Sequence, residues 1–314
     1  IGFCLVGSEM CIRDRPFTGP KFGCEGTRKL LGIYGRPIIG TIIKPSVGLS
    51  PIQTGTLVAK LCAAGIDFIK DDELQADGPN CPFDARVKSV MQVVNRAADK
   101  SGQKVMVAFN LTGEIDEMRR RHDLVVAEGG TCVMVNIFGV GMSGMLALSR
   151  HADLPIHAHR AGWGALTREA LLGWSYPAWS KLWRLAGADH MHVNGLDNKF
   201  SEANESVIAS ARSLKDPLFC DAPMSALPVF SSGQTVKQAA ATLRAVGSPD
   251  LLVTAGGGII AHPGGVAAGV KAMRQANDAA MRKIDIVQYS KEHPELAAAL
   301  TCLLYTSDAA DEGH

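Results

Sequence analysis

The sequence predicts an α/β chain folded as a (β/α)8 TIM barrel, and three observations carry the prediction. A short β-rich run, a polar or Gly-rich turn and an amphipathic stretch recur along the chain, giving eight strand candidates. Helical patterns fill most of the gaps, as parallel neighbours joined by crossovers require. Polar residues gather where the strands end, the rim at which barrel enzymes carry their chemistry. An open doubly wound sheet is the alternative, but it seldom holds so many parallel strands without a switch of composition.

In order, the strands are expected at Ile38–Lys44, Phe68–Asp71, Lys104–Asn110, Cys132–Ile137, Pro155–Arg160, His190–Asn194, Pro228–Ser231 and Leu251–Ala255. Helices are expected at Pro51–Ala64 behind Ser50 as N-cap, then at Phe83–Ala98, Glu114–Glu128, Thr167–Leu185, Ser201–Leu214, Thr235–Val246 and Gly265–Arg282. Gly65, Gly129, Gly187 and Gly247 sit where left-handed C-caps belong. Residues 16–37 read as a lead-in segment and 38–300 as the barrel with its C-terminal helices. The ends at 1–15 and 301–314 resemble peptides translated from sequencing-adapter DNA and are expected to be non-native; ordinary poorly ordered termini are the alternative.

Composition excludes several classes. The 314 residues are 46% hydrophobic and 20% charged with a net charge of +1, so no basic excess points to nucleic acid. No apolar run reaches the roughly 18 residues of a membrane span, and the start lacks a secretory signal, so a cytoplasmic protein is expected. The eight cysteines form no CxxC pair and suggest neither a zinc site nor a disulfide framework.

Lys70-Asp71-Asp72-Glu73 is the most informative stretch. An apolar run delivers a lysine and three carboxylates to one strand end, where a solvated salt-bridge cluster is the plain reading. The chemical reading is a Mg2+ site: Asp72 and Glu73 offer hard oxygens, and Lys70 offers another once carbon dioxide has converted it to a carbamate. Lys44, among other cations on an apolar rim, is a candidate proton donor for an enediolate. Gly256-Gly257-Gly258 after the last strand, with Ser231 and Gly233 beside it, is a candidate phosphate site. Arg160 and His192 are candidates for a second anionic group, and Lys199 for the lysine of a closing lid. Taken singly, a lone histidine is more often a core residue and a glycine triplet a turn.

Gly40 to Ser50, Phe68 to Glu73, His157-Ala158-His159-Arg160-Ala161, Asp189 to His192 and Gly256 to Pro263 resemble, in order and spacing, the large subunit of ribulose-bisphosphate carboxylase (RuBisCO) and its RuBisCO-like relatives. The resemblance runs from about Phe17 to Arg282. It implies that Lys70 is carbamylated and shares Mg2+ with Asp72 and Glu73, that Lys44 lies near the enediolate, that His159 lies near the metal-bound substrate and that Lys199 is the lid lysine. Arg160, His192 and Ser231 would flank the substrate on one side, with Gly233, Gly256 and Gly257 on the phosphate side. It further implies a homodimer or larger homo-oligomer, and an N-terminal α+β domain that this fragment lacks, without which it is expected to be inactive. Ser46 stands where carboxylases have a second lysine, the lid reads Asn194-Gly195-Leu196, and Ser232 replaces a glycine. These departures turn the expectation from carboxylation toward a RuBisCO-like lyase decarboxylating a 3-oxo sugar-acid phosphate of the 3-oxo-isoapionate 4-phosphate type. An enolase or isomerase of a methylthio-ketose phosphate, a true carboxylase and a non-catalytic barrel are the alternatives.

Overall fold

Alternation along the strands sorts their side chains into two apolar clusters, because successive residues of a strand point to opposite faces. A computed structural model describes residues 17–302 apart from 168, 170–172, 201 and 221. The strands are β1 Ile38–Ile42, β2 Phe68–Lys70, β3 Met106–Asn110, β4 Cys132–Asn136, β5 Ile156–His159, β6 His190–Asn194, β7 Leu227–Phe230 and β8 Leu252–Thr254. They pair in chain order, all parallel, and β8 returns to β1 to close the barrel. Ile38, Phe68, Met106, Met134, Leu227 and Leu252 belong to the inner cluster, while their neighbours Ile39, Ile69, Val107, Val133 and Val253 join the outer one against the helices. Gly40 makes the inner packing possible: a Cβ there would come within 2.9 Å of the Phe68 ring.

The helices are α1 Gly23–Leu31, α2 Pro51–Ala63, α3 Phe83–Ser101, α4 Ile115–Ala127, α5 Ile137–His151, α6 Tyr176–Leu185, α7 Asn204–Ser213, α8 Ala239–Val246, α9 Gly257–Ile260, α10 Gly265–Met281, α11 Ile286–Ser290 and α12 Pro294–Cys302. The expected Ser50 cap is present as a capping box with Gln53. Two expectations need correction. Helix α5 was not anticipated, since Gly139, Gly141 and Gly144 weaken its helical signal and Gly141 kinks it at φ 63°. Helix α6 starts at Tyr176 rather than Thr167, behind extended Ser175 and with Pro177 in its first turn, where a missing N–H costs nothing; a 3-10 turn at Trp163–Leu166 precedes it. The foreign-looking ends lie outside the described residues, save Thr301 and Cys302 at the end of α12. Among the described residues no helix is long and apolar enough to cross a membrane.

Helix α1 packs across the N-terminal mouth: Leu31 and Ile33 join the inner cluster, and the N–H groups of Phe22 and Gly23 donate to buried Asp189 at the start of β6. On the same side Asp67 is fully buried, bound by Arg36 through both oxygens, by Arg274 at 2.8 Å and by the Ile39 N–H at 2.9 Å. Burial alone would raise the Asp67 carboxyl, but these partners hold it below the usual range. Its contribution to stability is therefore complete above about pH 4 and is lost as pH falls below that. Asp67→Asn should cost about 3 kcal/mol at neutral pH and flatten the acid side of the stability profile, both readable in urea titrations; an unchanged midpoint would refute the role.

Candidate active site

Strand phase decides what reaches the C-terminal rim. Phe68 faces the barrel interior, so Lys70, two residues on, does too, and its side chain is only 2% exposed. The Lys70 ammonium donates to the Asp71 carbonyl at 2.8 Å and to Glu73 Oε2 at 3.0 Å. Lys44 Nζ lies 3.1 Å from Asp72 Oδ2, which also accepts the Ser46 hydroxyl at 2.8 Å. Burial pushes the Glu73 carboxyl up, but Lys70, Lys44 and hydrogen bonds outweigh it and hold it below the usual range. Asn110 braces the turn by donating to the carbonyls of Asp72 and Glu73. Asp71 points the other way, to Arg86 at 3.2 Å and the Asn110 N–H at 3.0 Å, and is thereby withdrawn from the rim.

His159 stands over this cluster, its Nε2 3.4 Å from Glu73 Oε2. Because its Nδ1 accepts the Ala161 N–H, a neutral His159 carries its proton on Nε2, toward Glu73. Burial, then Lys70 and Arg160, hold its pKa well below normal.

Beneath the rim, three histidines form a hydrogen-bonded column whose tautomers follow from its lower end. Thr27 Oγ1 donates to the Gly23 carbonyl, so it accepts from His190 Nε2 at 2.7 Å. His190 Nδ1 must then accept from His157 Nδ1 at 3.4 Å, and His157 Nε2 from His192 Nε2 at 2.7 Å. His192 Nδ1 is left to accept the Ser231 hydroxyl at 3.0 Å. Burial keeps all three neutral, lowering His190 to about 3 and the other two well below normal.

On the far side, Arg160 rests on the Tyr176 ring at 4.6 Å, and Tyr176 in turn donates to the His192 carbonyl. Arg160 Nη2 donates to Glu202 Oε2 at 3.0 Å, while among the described residues its Nη1 is buried with no hydrogen-bond partner. Lys199 is exposed in the loop after β6, its ammonium 5.2 Å over the Phe200 ring. Gly233 adopts φ +85°, and Gly256 caps the one-turn helix α9, whose first N–H groups lack intrahelical partners. The two glycine loops pack together, since a Cβ on Gly258 would meet the Gln234 carbonyl at 2.7 Å.

The rim therefore brings together Lys44, Lys70, Asp72, Glu73 and His159 on one side and His192 with Ser231 next to them. Sequence reasoning missed Glu202 and Tyr176, which carry no motif of their own, and gave Ser46 no contact. Two carboxylates alone make an incomplete metal site, and Lys70 fits it only as an oxygen donor, which carbamylation would supply. Among the described residues the cluster of three potential ligands within 4.8 Å is His122, Asp123 and His151, on α4 and α5. There His122 Nε2 accepts the Asp153 N–H, so its Nδ1 carries a proton toward Asp123 and has no lone pair for a metal.

Comparison with known proteins agrees with this architecture. The family model described as ribulose bisphosphate carboxylase large chain, catalytic domain, matches residues 23–303. A Xanthobacter autotrophicus protein named 3-oxo-isoapionate-4-phosphate transcarboxylase/hydrolase is 63% identical over 284 residues, 90% of this chain and 69% of that protein. A Rhizobium etli protein named 3-oxo-isoapionate-4-phosphate decarboxylase is 45% identical over 90% of this chain and 68% of its own length. A solved rubisco-like protein from Burkholderia fungorum is 48% identical with a TM-score of 0.90, covering 92% of this chain and 72% of that one.

The column yields a spectroscopic expectation. In 15N-correlated NMR at pH 6, His192 should show a protonated Nε2 and a bare Nδ1, and His157 the reverse. All three should stay neutral well below the usual histidine range, so that stability is full above about 6.5, the unfolded value, and declines as pH falls below it. An imidazolium signal at pH 6 would contradict the assignment.

Proposed function

The chain belongs to the ribulose bisphosphate carboxylase large-chain family, and we propose that it is a RuBisCO-like, Mg2+-dependent lyase that decarboxylates a 3-oxo sugar-acid phosphate. The observation that carries the reading is the buried Lys70 ammonium held against Glu73, with Asp72 beside it. A lysine this deep is costly unless its chemistry is used. Carbamylated Lys70, Asp72 and Glu73 would hold Mg2+, which when bound supplies Lewis-acid stabilisation of an enediolate.

The remaining work falls to the chain's own side chains. The bond from the carboxyl carbon to C2 breaks, its electron pair passes to the 3-oxo group, and a proton returns to C2. Lys44, whose side chain is 26% exposed on the rim, would deliver that proton. His159 would direct its Nε2–H at the developing oxyanion, where a fixed donor is worth most. Ser231 with the amides of Gly233, Gly256 and Gly257 would bind the phosphate, and Arg160 and His192 would border the opposite end. Lys199 would close over the substrate from its loop. Homodimeric or larger assembly is part of the same proposal.

The name of the Xanthobacter autotrophicus relative favours one second reading, in which the carboxyl is passed to an acceptor instead of leaving as gas. Carboxyl-labelled 3-oxo-isoapionate 4-phosphate with Mg2+ and bicarbonate separates the two, assayed with the chain and with that relative beside it. Label released as carbon dioxide supports decarboxylation, and label kept in a non-volatile product supports transfer. Solvent deuterium uptake without carboxyl loss would reject both in favour of an enolase. In the active protein Lys70→Ala should abolish turnover, and Lys44→Met should lower kcat roughly a hundredfold or more; unchanged rates would sink the carbamate and proton-donor roles respectively.

A further inference from the structure

The far end of the rim carries an arrangement no sequence motif announced. Glu202 Oε2 accepts from Arg160 Nη2 at 3.0 Å and from Asn194 Nδ2 at 2.8 Å. Its other oxygen accepts the Ser206 hydroxyl at 2.9 Å, and its carbonyl accepts from Asn198 Nδ2 at 2.8 Å. The carboxylate is thus fixed from just past β5, from the end of β6 and from the first turn of α7, and the loop holds its backbone. Asn194 holds its place in the left-handed region at φ 73°, a conformation asparagine tolerates better than most residues.

We propose that Glu202 is a specificity residue: it neutralises Arg160, bars a second phosphate from that end of the site, and leaves there a socket for a sugar hydroxyl. This rests on the phosphate reading of the glycine loops. Two further observations support it. His192, the other candidate for a second anion, has no N–H to offer, because its Nε2 donates to His157 and its Nδ1 accepts from Ser231. Among the described residues, Arg160 Nη1 and Asn194 Oδ1 are both buried without a hydrogen-bond partner. Asn194 cannot be flipped to remove its orphan, since its Nδ2 faces two acceptors, Glu202 Oε2 and Asn198 Oδ1. One orphan is a donor, the other an acceptor, and both side chains hang from the same carboxylate oxygen. A hydroxyl, which both donates and accepts, is the kind of group that answers such a pair, whereas a phosphate dianion has no proton for the Asn194 oxygen and is repelled by the Glu202 carboxylate.

Calorimetric titration of the chain, with Mg2+ present, against D-xylulose 5-phosphate, its 1-deoxy analogue and xylulose 1,5-bisphosphate tests this without turnover. The monophosphate should bind at least as tightly as the bisphosphate, and loss of the 1-hydroxyl should weaken binding about tenfold or more. Glu202→Gln keeps the side chain's size and removes its charge; it should raise bisphosphate affinity on the order of a hundredfold while changing monophosphate affinity less than about threefold. Glu202→Asp, which keeps the charge, should leave the preference in place, and thermal melts check that both variants fold. A wild-type preference for the bisphosphate, equal effects of Glu202→Gln on both, or indifference to the hydroxyl would each overturn the proposal. If no phosphate compound binds at all, the assignment of the glycine loops is what fails, and this proposal falls with it. Failure of the carbon dioxide assay, by contrast, leaves the affinity comparison intact.

Discussion

Burying the Lys70 ammonium inside a closed sheet is the constraint around which the rim is organised. A charge in such a place needs oxygen partners, and the chain can supply them only where the strand ends and its backbone turns. Strand phase then sorts the acidic run. Asp71 is turned outward, where Arg86 and the Asn110 N–H consume it, while Glu73 turns back to Lys70 and Asp72 to Lys44. Three carboxylates adjacent in sequence thus serve two unrelated purposes, one bracing β2 against α3 and two pairing with the lysines of the rim.

The same phase rule fills the interior with imidazoles. His157, His190 and His192 occupy inward positions of β5 and β6, and Phe68 packs on the first at 5.2 Å and the second at 6.1 Å. Burial strips them of charge, yet each still needs one donor and one acceptor. The column meets that need by running from Thr27 on α1 to Ser231 at the end of β7. The lead-in segment therefore does more than cover the lower mouth, since the bond from Thr27 to Gly23 orients every proton above it.

The barrel was legible because its signals are local and repeated: period-two strands, glycine C-caps and polar strand ends. The helix after β4 was hidden because its glycines depress helix propensity and its apolar surround leaves no polar face to read. The late start of α6 was hidden because the apolar spacing before Tyr176 has a helical period in the sequence. Within the site, Lys70, Asp72 and Glu73 stand together in sequence and could be read as a unit. Glu202 could not, for its partners Arg160 and Asn194 come from two other strands, and only closure of the sheet brings them to it. Ser46 was legible as an absent cation but not as a hydrogen-bond donor to Asp72.

The ion pairs of the rim have an electrical consequence. Lys44, Lys70 and Arg160 are matched one for one by Asp72, Glu73 and Glu202, and the imidazoles below contribute nothing, so the cavity starts out electroneutral. The proposed carbamate at Lys70 would replace a positive group by a negative one, a deficit that a single dication would restore. On the proposed loading, the gas and the metal would offset each other's charge, leaving the loaded cavity as neutral as the one it started from.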